Sequence, residues 1–254
     1  MRTLLALILS SAACCAGPMG FNRPQVSYGF DGWWRLDATN SNGTVTDYGG
    51  LANTGTLSNS PAITGGVIGN SLNFNGSSQL VTTTLTNTGS TAMTVACWVL
   101  FNSVASRSDF IHKWEDNGGS THNYGWLLSN IGTPLKLTFY TSTNSAGTGA
   151  TPVFSGLQPA TNTWYHVVGV FNDGVQQIYT NGVLAATVTP AIARAIYVST
   201  NAVRFGGANT GGANTYANFH NGRLDDVRIY NRALSAAEVA GLYWEVASQW
   251  KQGP

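Results

Sequence analysis

Five Asn-Gly steps, at 42, 75, 117, 181 and 221, divide this chain into short apolar runs, and before residue 233 almost none of those runs has a helical period. Asn-Gly is the strongest short-range signal for a tight hairpin, because both residues accept the positive φ of a type I′ turn. Runs such as Met93 to Val99 and Arg223 to Tyr230 alternate with a period of two, as a strand with two unlike faces does. Many short strands without crossover helices specify an all-β fold, a two-sheet antiparallel sandwich.

The exception lies at the C-terminal end. In Gly222 to Tyr243, Val227 and Ile229 take one face of a strand and Arg228 and Tyr230 the other. Asp225 falls on the face of Val227 and Ile229, so it reads as a buried, hydrogen-bonded carboxylate holding a neighbouring turn. Ser235 followed by Glu238 forms a capping box, and Leu234, Val239 and Leu242 make one apolar stripe. The spacing predicts a short C-terminal helix ending near Trp244.

Length and composition set the class. At 254 residues, 43% hydrophobic and 11% aromatic, the chain can bury one large core. Only 9% of residues are charged and the net charge is +1, which leaves no basic footprint for nucleic acid. Met1 and Arg2, the apolar run Thr3 to Leu9 and small residues to Ala16 have the anatomy of a secretory signal peptide, with cleavage after Ala13 or Ala16. The run is too short to be a transmembrane segment. Residues 1–16 are therefore read as the signal peptide, 17–27 as a linker or arm, 28–244 as the folded domain and 245–254 as a tail. The expected location is secreted or extracellular, with a lipoprotein (Cys14) or virion-associated form as alternatives. Cys97 is then left without a partner on a strand, as a buried hydrophobe.

Several segments carry a family resemblance. GRLDDVRIYNRALS (222–235) is similar to the closing motif of the laminin-G-like, concanavalin A-like lectin domains of secreted bacterial and some phage proteins. WYHVVGVFNDGVQQIYTNGVLAATV (164–188) resembles that family's hairpin, with the first turn at Asn172-Asp173-Gly174. GGVIGNSLNFNGSSQLVTT (65–83) resembles an earlier segment, in which Leu72 and Phe74 face inward and Asn75-Gly76 makes a hairpin to Leu80-Val81. TAMTVACWVLF (91–101) resembles a long central strand, apolar on both faces. The resemblance covers Tyr28 to Trp244 and implies a jelly roll. It fixes no activity, since the fold hosts lectins, glycosidases, polysaccharide lyases and adhesion modules.

Chemistry is sparse. A glycosidase needs two carboxylates about 5 to 9.5 Å apart. With Glu238 in a cap and Glu245 in the tail, Glu115, Asp109 and Asp116 remain, and on one strand Asp109 and Glu115 would lie about 20 Å apart. No nucleophile elbow, phosphate loop or zinc motif occurs. The densest mixture of charge, His and aromatics is Arg107 to Trp126, where Trp114, Glu115, Asp116, His122, Asn123 and Tyr124 are the candidate ligand-binding residues, since sugars stack on Trp or Tyr and bond to polar anchors. Tyr216 and His220, in an Asn/Gly-rich loop, form a second candidate rim. Trp33, Trp34, Trp98 and Trp164 are core by pattern, and His166 is a structural, hydrogen-bonded histidine. The resemblance also implies a structural calcium, with oxygen ligands at Asp37, Asp47 and Asp225. The reading is a secreted, non-catalytic module whose partner is carbohydrate or a surface glycoprotein. The alternatives are an adhesion or virion-associated module that self-assembles, and a glycoside hydrolase or polysaccharide lyase.

Overall fold

The computed structural model describes residues 28–86, 88–116, 122–189, 194–209 and 215–250. The expected signal peptide, the linker, the Asn-Gly step at 117 and the last four residues lie outside the described residues.

Two sheets form the sandwich. The first runs in spatial order β14 (Val183–Val188), β13 (Val175–Thr180), β12 (Trp164–Asn172), β7 (Ala92–Phe101), β18 (Asn221–Tyr230), β5 (Asn70–Asn75) and β4 (Ala62–Gly65), with β1 (Phe30–Trp34) also on β18. The second runs β11 (Thr151–Phe154), β10 (Lys136–Thr141), β9 (His122–Ile131), β8 (Ser108–Asp116), β15 (Arg204–Phe205), β6 (Leu80–Thr83), β3 (Gly55–Ser58) and β2 (Thr44–Val45). Two short strands, β16 (Ala208–Asn209) and β17 (Tyr216–Ala217), extend it beside β8. Every pairing between these strands is antiparallel except β16 with β8, and a single parallel bridge joins Phe101 to Thr161. This is a jelly-roll β-sandwich with a C-terminal helix.

The period-two alternation decides what meets in the middle. Met93, Val95, Cys97, Val99 and Phe101 of β7 pack against Phe139, Trp126 and Leu128 from the opposing sheet in one fully buried core. The other face of β7 is covered as well. Ala96, Val168, Val170 and Tyr230 pack beneath Leu234, Val239 and Leu242, so the helix covers part of the outside of the first sheet. The capping box forms as expected, with Glu238 N donating to Ser235 Oγ (3.3 Å) and Ser235 N to Glu238 Oε2 (2.8 Å). The helix α1 (Ala236–Trp250) runs past Trp244 into the segment read as a tail.

The turns divide into two kinds. Asn181-Gly182 (φ 52° and 79°) and Asp173-Gly174 (46° and 89°) are hairpin turns in the left-handed region. Asn75-Gly76 does not close a hairpin, because β5 and β6 belong to different sheets. Asn75 Oδ1 instead accepts the amides of Ser77 and Ser78 at 2.9 and 3.0 Å and turns the chain across the sandwich. Two tryptophans read as core, Trp33 and Trp164, are only half-buried.

The strand β18 departs from simple alternation. Its pairing with β7 shifts register between Asp225 and Arg228, and Asp226 sits at φ 49°. The extra residue is a bulge. Leu224, Val227 and Ile229 turn into the core, so Asp225 and Asp226 both point outward, away from the face on which Asp225 was expected.

Candidate functional site

The segment 107–126 becomes the hairpin β8–β9. Its register slips between Lys113 and Trp114: Lys113 faces Trp126 and Trp114 faces Tyr124, leaving Gly125 as the extra residue. That bulge carries Trp114 and Tyr124 out of step with the core residue Trp126. On β10, Leu137 and Phe139 turn inward, so Tyr140 points out. The Trp114 and Tyr124 rings stack with centroids 4.3 Å apart, and Tyr140 meets Trp114 edge-on at 5.3 Å. All three are half-buried. The outer face of the second sheet therefore carries a half-buried aromatic cluster, with Gly147 close against the Tyr124 ring. Tyr140 was not among the expected residues.

A polar group stands beside it on β8, β15 and β16. Glu115 Oε1 accepts from Arg204 Nη1 at 3.0 Å and Asn209 Nδ2 at 2.7 Å, and the Arg204 guanidinium lies 5.7 Å from the Tyr216 ring centre. Asn123 Nδ2 donates to Thr200 Oγ1 and Asn201 Oδ1, while its Oδ1 is buried without a partner. Asp116 and His122 pair through their backbones at the hairpin end, and their side chains lie outside the described part.

His220 does not belong to this rim. It is fully buried, its Nδ1 lies 2.8 Å from Ser108 Oγ, and Phe101 packs on its ring at 5.3 Å. Burial pushes its pKa down to about 4. His166 is buried too, between Trp98 and Tyr243, and its Nδ1 has no hydrogen-bond partner. Asp109 forms a two-point ion pair with Arg107 at 2.9 Å and accepts from Asn218 Nδ2. Both described members of the expected carboxylate set, Asp109 and Glu115, are thus held in ion pairs.

The three expected calcium ligands do not converge. Asp47 turns both oxygens onto backbone amides, those of Trp33, Gly49 and Asn53 at 2.7 to 2.9 Å. Asp37 and Asp225 share a cavity of about 200 Å³ on the outside of the first sheet, walled by Trp33, Asp226, Arg228 and Glu245. Asp225 Oδ2 accepts from Val67 N (2.7 Å) and Ile68 N (3.1 Å), so this carboxyl does hold a neighbouring turn; its Oδ1 is buried and unpartnered. Burial pushes Asp225 up to about 8, with Asp226 and Asp37 adding to the rise and the two amides opposing it. Among the described residues no cluster of three or more His, Cys, Asp or Glu is arranged to hold a metal.

A two-sheet jelly roll with an aromatic-lined sheet face is the architecture of a lectin-like domain. The model of the concanavalin A-like lectin/glucanases superfamily matches residues 74–240, and the chain belongs to that family. No curated protein sequence matches it. Among solved structures, domain 4 of an extracellular GH43 arabinanase from Geobacillus stearothermophilus, in complex with arabinotriose, is similar at 18% identity and a TM-score of 0.63, over 84% of this chain and 98% of that one. The binding domain of Paraclostridial Mosquitocidal Protein 1 is similar at 17% identity and 0.63, over 85% of this chain and 52% of that one. A structure of botulinum neurotoxin type C, described as entering cells through two ganglioside molecules, is similar at 15% identity and 0.63, over 87% and 52%. The chain spans about half the length of these two toxin structures.

Proposed function

We propose that this chain is an extracellular, non-catalytic recognition module that binds carbohydrate through the Trp114–Tyr124–Tyr140 face. The observation that carries the reading is the aromatic trio itself, half-buried on the outer face of the second sheet, where the Gly125 bulge brings Tyr124 beside Trp114. Glu115, Asn209, Arg204 and Tyr216 supply polar and aromatic neighbours, with Asn123, Asp116 and His122 at the hairpin end. Two similar structures name glycan ligands in their descriptions, arabinotriose in one and gangliosides in the other, which supports the ligand class. Catalysis is not part of the proposal, because Asp109 and Glu115 are each held by a guanidinium rather than set against each other across a cleft.

The test is a glycan array carrying arabino-oligosaccharides and ganglioside headgroups, probed with wild type and Trp114→Ala. Wild type should retain at least one glycan, and the variant should lose about tenfold or more in affinity, the loss of a stacking contact of 1.4 kcal/mol or more. Silence on every glycan together with self-association would favour an adhesion or assembly module; reducing-end release from an array polysaccharide would make the chain an enzyme.

Of the three expected calcium ligands only Asp225 keeps an unpartnered oxygen, Oδ1: Asp37 is held by Arg35 at 2.8 Å and by Asn70 N at 2.9 Å, and Asp47 by backbone amides. A calcium bound at that oxygen would share the cavity with the guanidinium groups of Arg35 and Arg228. Chelation should then lower the melting temperature of wild type and leave Asp225→Asn unmoved. An unchanged wild-type melting curve removes calcium from the account.

A further inference from the structure

Lys113 is the residue immediately before the aromatic cluster, and its side chain is fully buried. Its Nζ donates to three backbone carbonyls: Thr86 O and Asn201 O, both at 2.8 Å, and Ser199 O. An ammonium has three N–H donors, so this cage satisfies it completely. None of the described carboxylates pairs with it; the stabilising charge comes from carbonyl dipoles alone. Burial pulls its pKa down to about 8, which still leaves it charged at neutral pH.

The carbonyls that meet at Nζ belong to segments that also shape the aromatic cluster. Asn201 and Thr200 bond the Asn123 side chain, and Asn201 Nδ2 donates back to Asn123 O at 3.2 Å. Tyr197 N donates to Ser142 O at 2.8 Å, and Ser142 N to Gly125 O at 2.7 Å, which ties the same segment to the bulge. A Cβ on Gly125 would stand 2.8 Å from Lys113 O and 3.5 Å from Ser199 Cβ, so the packing there has no slack.

We propose that the Lys113 ammonium is a tethered cation filling a carbonyl cage, and that it acts as a positioning residue for the glycan face by holding residues 199–201 against the Gly125 bulge. The inference rests on the reading of Trp114, Tyr124 and Tyr140 as that face. It implies that the cage, once emptied of its lysine, takes a free cation of the same shape.

The experiment uses the full chain with Lys113→Ala and Lys113→Met, probed with methylammonium chloride and, at matched ionic strength, sodium chloride. Lys113→Ala should melt about 10 °C lower than wild type and lose the near-ultraviolet circular dichroism of the stacked Trp114–Tyr124 pair. Methylammonium at about 0.1 M, where long-range charge effects are already screened, should restore at least half of both signals, and sodium should restore neither. Lys113→Met fills the space without the charge, so it should keep the fold, lose the ring signature and gain nothing from methylammonium. If Lys113→Ala does not fold, Lys113→Met decides: a wild-type ring signature in that variant overturns the proposal. So does a folded Lys113→Ala that methylammonium does not rescue. None of these readouts uses a glycan, so rescue without glycan binding would discard the ligand face and leave the cation cage standing.

Discussion

Replacing Arg228 with Met should lower the unfolding free energy by about 3 to 5 kcal/mol, the range for removing one partner of a buried ion pair. The guanidinium is 5% exposed and is surrounded on the outside of the first sheet. It bonds Asp226 at 2.9 Å, reaches Glu245 of the helix at 3.5 Å and lies 4.8 Å from the Trp33 ring centre. Asp226 is itself only 7% exposed, so losing its partner leaves a largely buried carboxylate without its counter-charge. Trp33 Nε1, at 2.7 Å, would be its remaining described side-chain donor. The loss should appear in urea unfolding, and Asp226→Asn in the same background should recover part of it by removing the uncompensated charge. A cost under about 1 kcal/mol would mean that the pair behaves as a surface ion pair, and that the helix does not cover it.

Stability in chelator should peak near pH 6.5 and fall on the acid side. Burial lowers His166 to about 3, with Arg228 adding to the effect, and lowers His220 to about 4; His112 is shifted the same way by burial. Below the unfolded histidine value of 6.5 the unfolded chain takes up protons that the folded chain refuses, so falling pH favours unfolding. Asp225 has the opposite sign. Raised to about 8, it holds a proton in the fold that the unfolded chain lacks down to 3.8, so its contribution is lost as pH rises through 8. Two or three histidines against one carboxyl leave a net acid slope of about 1 to 2 kcal/mol per pH unit between 6.5 and 5. His166→Phe keeps an aromatic ring between Trp98 and Tyr243, and should flatten that slope by about 1.4 kcal/mol per unit. An unchanged slope in the variant would mean that His166 takes up its proton in the fold.

The architecture was legible because it rests on short-range rules. Alternation placed Met93 to Val99 correctly, Asn181-Gly182 and Asp173-Gly174 made their turns, and Ser235 with Glu238 capped the helix. What alternation cannot show is a change of step. The bulge at Asp226 turned Asp225 outward, and the bulge at Gly125 turned Trp114 and Tyr124 together; a glycine inside a strand was the one local sign of the second. Tyr140 joined the aromatic cluster from a separate strand, and only the pairing of β9 with β10 brings it there. Trp33 and Trp34 cannot both face the core, since neighbours on a strand face opposite ways, and it is Trp33 that lies half-buried. His220 looked like loop rim because Asn and Gly surround it, yet the sandwich closes over it.

The most direct test of the glycan face is an indole ¹H–¹⁵N spectrum, in which the eight tryptophans report separately. On titration with the tightest glycan from the array, the Trp114 resonance should shift progressively while Trp33, at the cavity on the opposite side, and Trp98, beneath the helix, stay fixed. A shift at Trp33 with Trp114 unmoved would contradict the account and put recognition on the outside of the first sheet.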